Sequence, residues 1–293
     1  MGTLSEQVIL ITGASTGIGA TLARELAQQH LGIRLILAAR REELMWEVAG
    51  ECQKMGAKVL VVPTDMGDIS QIENLASLAI EHFGQVDAVV NNAGYGEMGP
   101  IELLSPDAAK EQLAVNFHGP LTLIQHLIPT MKKQGGGKII NISSLGGRMA
   151  FPMAGLYSCS KFALEALSDV LRMELKAFNI QVVVVEPGPV VTDFFAVVNQ
   201  KVKEKFSHTE KTPYQPGIQK LLLLKEQTEI LGWPPEKLAK VIIKTLIAKN
   251  PRPRYVAATG GDILIFLMTK ILPTWAKDIF WQRFYGIDKM SNI

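Results

Sequence analysis

The sequence predicts an α/β fold: a doubly wound parallel sheet of about seven strands with helices on both faces. Three observations predict it. Short β-branched runs alternate with helical patterns in strict order as far as Glu186, which reads as a series of βαβ units. Several of these runs, Val182–Val185 above all, are apolar without alternation, the pattern of strands covered on both faces. The 293 residues are 47% hydrophobic and 20% charged, with a formal net charge of +2. That is enough apolar material for a large core and too little charge for a disordered chain.

The strand runs are Val8–Thr12, Arg34–Ala39, Lys58–Val62, Ala88–Asn91, Lys138–Ile142 and Gln181–Glu186, with Arg254–Ala257 as a seventh. Helical stretches lie between them at Ile18–Gln29, Glu42–Met55, Ser70–Phe83, Asp107–Met131 and Tyr157–Phe178. Gly56 stops the second helix, and Asp68 and Ser70 offer caps to the third. After Glu186 the rhythm changes: residues 189–235 hold five prolines, many lysines and no strand candidate. Asp262–Gly286 reads as one or two amphipathic helices split at Pro273. The chain is therefore one domain, 1–293, with its core over about 5–193 and 235–258. An insertion occupies about 194–234, and a C-terminal extension about 259–293. Right-handed crossovers place the ligand crevice at the carboxyl ends of the strands.

Composition also excludes. Cys52 and Cys159 cannot build a disulfide framework, so a reducing, cytoplasmic setting is expected, with Cys159 a packed thiol. No basic region precedes Val8–Ile11, and Glu6 stands where a myristoylation signal needs Ser or Thr. Ile263–Leu272 is interrupted by Thr269 and Lys270 and is too short to span a bilayer. His30, His82, His118, His126 and His208 show no metal-ligand spacing, so no metal is expected. The absence of a basic–aromatic stripe argues against a nucleic-acid partner. Charge is unevenly divided: residues 1–200 hold 14 Lys/Arg against 20 Asp/Glu, and residues 201–293 hold 16 against 8. The last third either faces something anionic or carries lysines that solvate amphipathic helices.

The first strand runs into Thr12-Gly13-Ala14-Ser15-Thr16-Gly17-Ile18-Gly19, and a helix follows at once. Glycines let backbone approach a pyrophosphate, and the helix N-terminus supplies N–H donors and positive dipole. Further on, Tyr157 and Lys161 lie four apart on a helix, hence on one face. A free tyrosine titrates at about 10, too high to trade a proton with an alcohol at neutral pH. A nearby ammonium stabilises the phenolate, and a shift of ~3 units requires roughly 4 kcal/mol.

Together these motifs resemble the short-chain dehydrogenases/reductases in their classical form. The glycine turn, Asn91-Asn92-Ala93-Gly94, Asn116, Ser144, Tyr157-x-x-x-Lys161 and Pro187-Gly188 occur in that family's order and at its spacings over about residues 5–193. The resemblance implies a Rossmann fold and the following roles. Tyr157 is the general acid/base; Lys161 lowers its pKa and holds the nicotinamide ribose. Ser144 holds the substrate oxygen, with Ser143 the second candidate, and Asn116 interrupts its helix to anchor a water in the proton relay. Gly13, Ser15, Thr16, Gly17, Ile18 and Gly19 cradle the pyrophosphate. Asn92, Ala93 and Gly94 line the adenosine side, Asp65 reads the adenine amino group with Met66 beside it, and Pro187, Gly188, Val190 and Thr192 hold the nicotinamide. At the end of the second strand an NAD enzyme of this family tends to carry an acid. Here Ala39 is followed by Arg40, whose guanidinium can fork onto a 2′-phosphate, so NADP(H) is the expected cofactor.

The loop Ser144–Met153 is apolar and rich in methionine, suiting a flexible apolar ligand. Its Gly146-Gly147-x-x-x-x-Pro152 pattern is similar to that of the 17β-hydroxysteroid and retinol dehydrogenase branch. The expected activity is therefore NADP-linked interconversion of a lipophilic alcohol and its carbonyl. A 3-oxoacyl-carrier-protein reductase and a non-catalytic NADP-binding sensor are the rivals. Expected partners are the lipophilic small-molecule substrate and further copies of the chain as a dimer or tetramer. Residues 190–231 and 262–285 should form an apolar lid. The second holds too many large apolar groups for a solvated tail, so these should pack on the core or a second subunit, or dock on an anionic membrane surface.

Overall fold

The computed structural model describes residues 4–206 and 212–290. His208 and the Met1–Gly2 start lie outside the described residues. The strands are β1 Val8–Thr12, β2 Arg34–Ala39, β3 Lys58–Pro63, β4 Ala88–Asn91, β5 Gly137–Ile142, β6 Ile180–Pro187 and β7 Arg254–Ala257. They form one parallel sheet in the order β3-β2-β1-β4-β5-β6-β7. The order in which successive strands are added reverses between β1 and β4, so the crevice of a doubly wound fold opens there.

One face is covered by α1 Gly17–Gln29, α2 Glu42–Lys54 and α10 Pro235–Ile247. Leu22, Leu26, Leu238 and Ile242 are completely buried in that layer, each contributing about 1.5–3 kcal/mol. The other face carries α3 Ile69–Phe83, α5 Gly119–Lys133 and α6 Gly155–Glu174. Helix α3 begins as its sequence implies, with Asp68 accepting from the Gln71 amide. At the end of α10 the buried Lys138 ammonium donates to the carbonyls of Thr245, Leu246 and Ala248. It thereby satisfies oxygens that a helix C-terminus leaves open.

Two expectations need correction. Asp107–Met131 is not one helix: α4 Pro106–Leu113 and α5 are joined by a π turn at Ala114–His118. The Asn116 side chain is pulled onto the Tyr95 main chain, and Gly119 lies so close to the Met66 carbonyl that a Cβ there would approach it to 2.4 Å. Cys159 is exposed rather than packed, because two residues beyond Tyr157 a helix has turned its side chain to the opposite side.

After β6 come α7 Phe194–Phe206, α8 Gln215–Leu222 and α9 Leu224–Leu231, and after β7 come α11 Gly261–Phe266, a π turn at Leu267–Ile271 and α12 Thr274–Tyr285. The break at Pro273 falls where expected. No described helix is long and apolar enough to cross a membrane.

Candidate active site

At the end of β1 the chain turns through Gly13 and Gly17, with φ of +68° and +55°, a region side chains rarely adopt. A Cβ on Gly13 would lie 2.9 Å from the Ala93 Cα, and one on Gly19 would lie 2.4 Å from the Gly13 carbonyl oxygen. The turn is clamped to the exit of β4. Asn92 Nδ2 donates to the carbonyls of Thr12 at 2.9 Å and Gly13 at 3.3 Å. The Thr12 hydroxyl accepts from the amides of Asn92 and Ala93, both at 3.0 Å. From the other side Thr192 packs against Gly17, so the loop after β6 meets the same turn. Thr16 caps α1 without a side-chain hydrogen bond, and the first turn holds no acid. These amides and the helix dipole can therefore meet an anion.

Both arginines after β2 stand over this turn, but differently. Arg41 donates to the Thr16 hydroxyl at 2.6 Å and the Ser15 hydroxyl at 3.2 Å. Arg40 is 74% exposed and stands 4.0 Å from Asp65. Asp65 accepts from the Gly67 amide at 2.9 Å, while the Met66 side chain is buried in the core. Ile18 likewise packs on the core. Arg41 escaped the sequence reading; its adjacency to Arg40 was the available signal. Turn, dipole and guanidinium together form a donor set that fits a phosphorylated dinucleotide.

The second half of the site is built on α6. Lys161 is buried and donates to the Ile142 carbonyl at 2.8 Å. Its ammonium stands 5.9 Å from the centre of the Tyr157 ring. Burial pushes Lys161 down to about 8, with Glu165 opposing. Burial pushes the Tyr157 phenol up, and its hydrogen bond with the Ser144 hydroxyl works against that. The direction is opposite to the one the resemblance implies, because Lys161 is turned toward a carbonyl and offsets little of the desolvation. Ser144 also accepts from the Gly146 amide at 3.0 Å. Ser143 faces Glu165 instead. Asn116 donates to the Tyr95 carbonyl and the Ser160 hydroxyl, both at 3.0 Å. A Cβ on Gly94 would lie 3.2 Å from Asn116 Oδ1 and 3.5 Å from Lys161 Nζ, so the segment after β4 converges with both. Gly188 lies against Ala258 and Leu145, and Val190 pairs with Trp233. The loop from Pro187 to Thr192 thus links the glycine turn to Leu145, next to Ser144.

The wall above Tyr157 is apolar. Phe194 lies 5.6 Å from its ring, and Phe151 lies 4.8 Å from Trp281 of α12. Met98, Met153 and Phe195 belong to the same cluster. Lys201 and Lys205 on α7 both pair with Glu97, a buried carboxylate beyond the β4 segment; the Lys201 contact is 3.0 Å. These residues lie about a hundred apart in the chain, and no spacing signals their meeting. Equally hidden is the buried Glu186 carboxylate, which accepts from Arg148 of the apolar loop at 2.8 Å and stands 3.2 Å from Arg254 of β7. Arg254 also holds Glu165 at 3.1 Å and Asp169 at 2.6 Å. The set ties the helix of Tyr157 and Lys161 to β6 and to the apolar loop.

The short chain dehydrogenase family model matches residues 7–203. A 3-ketodihydrosphingosine reductase of Bacteroides thetaiotaomicron is 33% identical, over 97% of this chain and all of that protein. Human 17-beta-hydroxysteroid dehydrogenase type 1 is 32% identical, over 86% of this chain and 77% of that protein. Among solved structures, an alcohol dehydrogenase of the archaeon Thermococcus sibiricus complexed with 5-hydroxy-NADP superposes with a TM-score of 0.70. Its sequence is 27% identical, over 85% of this chain and 95% of that one.

Proposed function

Because this chain belongs to the short-chain dehydrogenase family, and so is an oxidoreductase of CH–OH and carbonyl groups, we propose that it interconverts a lipophilic alcohol and its carbonyl compound with NADP(H). The observation that carries the reading is the convergence of Tyr157, Ser144 and Lys161 beneath a wall of Phe194, Phe151 and Trp281. Relatives named for a sphingoid ketone and a steroid support a substrate of that polarity, and the solved relative with an NADP derivative supports the cofactor.

Nicotinamide, when bound, supplies or accepts the hydride; everything else falls to the chain. Ser144 holds the substrate oxygen, and the Tyr157 hydroxyl gives it a proton during reduction or removes one during oxidation. Lys161 would hold the nicotinamide ribose, and Asn116 would anchor the water that resupplies the proton. The amides of Gly13–Gly19 would hold the pyrophosphate, Arg40 and Arg41 the 2′-phosphate, and Asp65 the adenine amino group. Asn92–Gly94 would line the adenosine, and Pro187, Gly188, Val190 and Thr192 would hold the nicotinamide. The apolar wall excludes water and orients the substrate.

The reading includes self-association, supported by the exposed Phe162, Val170 and Met173 along α6, and a peripheral place at a membrane. Its test is turnover of long-chain and steroid ketones with NADPH. Tyr157→Phe should lower kcat by roughly 10²–10⁴-fold with NADPH affinity nearly unchanged. Lys161→Met should weaken both. Near-wild-type turnover in Tyr157→Phe removes the mechanism.

A further inference from the structure

The extension beyond β7 has two faces of the same chemistry, only one of which is covered. Inward, Ile265 and Met268 pack on Leu145 and Met149 of the apolar loop, and Trp281 reaches Phe151 and the cluster around Tyr157. Outward, Ile263, Phe266 and Ile271 follow one another at helical spacing, and Trp275, Ile279 and Phe280 continue the surface along α12. Ile263 and Trp275 are each 67% exposed. A hydrogen bond from Trp233 to Thr259 at 2.8 Å brings the exposed Ile230–Leu231 corner of α9 beside the start of α11. The family match ends at residue 203, so this face belongs to a part of the chain that the family pattern does not describe.

Its charges indicate what covers it. Lys270 lies within the stripe, Arg283 lies on the exposed side of α12, and Lys220 stands 5.1 Å over the ring of Phe284, while Asp262 on α11 and Asp278 on α12 are the exposed acids among them. Between β7 and α11 a cleft of about 350 Å³ is lined by Arg252 and Lys270, with Asp262 also on its wall. Its Arg148 and Arg254 are engaged by Glu186, whereas Arg252 and Lys270 form no salt bridge with any described carboxylate. A second copy of the chain is the competing occupant of the apolar face. An anionic lipid surface would take up the apolar side chains and the cations together.

We propose that the outer face of α11 and α12 docks on an anionic phospholipid membrane, so that a lipophilic substrate passes from the bilayer along Trp281 to Tyr157. This deepens the functional reading above and rests on it for the nature of the substrate; docking itself does not need turnover to be observed. The experiment is co-sedimentation of the full chain with vesicles of phosphatidylcholine and phosphatidylglycerol, against vesicles of phosphatidylcholine alone. The full chain should bind the anionic vesicles and be released by salt. The double variant Phe266→Ser/Trp275→Ser should lose binding, while Met173→Ser on α6, an equally exposed apolar residue, should retain it. Lys270→Gln and Arg283→Gln should each weaken partition about fivefold, the effect of one cation near a charged surface. Three outcomes overturn the proposal: no binding to anionic vesicles, equal binding to neutral ones, or a dimer that dissociates on Trp275→Ser and ignores vesicles. Vesicle binding without turnover of any lipophilic ketone would sink the functional reading alone.

Discussion

Removing Arg41 should damage NADPH binding more than removing Arg40, although the two are neighbours at the end of β2. Arg40 is 74% exposed, with Asp65 4.0 Å away. A contact from such a side chain is screened and gives up rotamer freedom, which limits it to about 0.2–1 kcal/mol, at most about fivefold. Arg41 is held by the Thr16 and Ser15 hydroxyls and so has already lost much of that freedom. It uses one nitrogen for both contacts and keeps further N–H donors for a phosphate. A charge-assisted hydrogen bond from a preorganised donor is worth about 1.5–3 kcal/mol, or roughly 10- to 150-fold. Titration followed by nicotinamide fluorescence at fixed ionic strength measures this directly. Arg41→Ala should raise Kd for NADPH by roughly 10- to 150-fold and leave NADH nearly untouched. Arg41→Lys should fall between, keeping charge and losing the fork. A larger effect from Arg40→Ala, or equal wild-type affinity for the two cofactors, would refute the reasoning.

Glu97→Gln should loosen α7 and cost about 1–2 kcal/mol, less than a fully buried pair because both lysines can reach water. Burial raises the Glu97 carboxyl, but the Lys205 and Lys201 ammoniums outweigh it and hold it below its ordinary 4.5. Its stabilisation is thus present above that value and lost as pH falls through the lower folded one, so melting temperatures of wild type and variant should converge in acid. Glu165→Gln should shift the alkaline limb of kcat/KM to lower pH, because the carboxylate opposes the burial that sets Lys161 at about 8; an unmoved limb would show no such coupling. Truncation after Gly261 removes Trp281 and the support of Ile265 and Met268 under the apolar loop. It should impair turnover of bulky ketones far more than NADPH binding, and equal loss of both would mean the extension is only core.

How much could be read from the chain alone followed the range of the interactions. All seven strands were legible within two residues at their ends: the five inner ones because a strand buried on both faces is apolar almost throughout, and the partly covered edge strands β3 and β7 because short β-branched or aromatic runs stand between local stops. The glycine turn and the Tyr157–Lys161 pair were legible for the same reason: each is a local geometry, one turn of backbone or one turn of helix. The π turn at Ala114–His118 was not. Its cause is a contact between Asn116 and the main chain of Tyr95, and the apolar pattern of an α-helix runs across it without a break.

Charge shows the limit most plainly. The excess of Lys and Arg in residues 201–293 suggested an anionic neighbour for the whole segment, yet part of that excess is answered inside the molecule. Lys201 and Lys205 are paired with Glu97, and Arg254 with Glu165, Asp169 and Glu186. Four acids of the first 200 residues thus meet basic groups of the last third, which is why the two halves look imbalanced when counted separately. The outward cations are few, Lys270 in the π turn and Arg283 on α12, but they stand among exposed Phe266, Trp275 and Phe280. Composition could not separate them from the others, since Trp275 and Trp281 lie on one helix and only packing turns one toward Phe151 and the other to solvent. Exposure rather than the net count therefore decides which of the segment's cations can meet a surface.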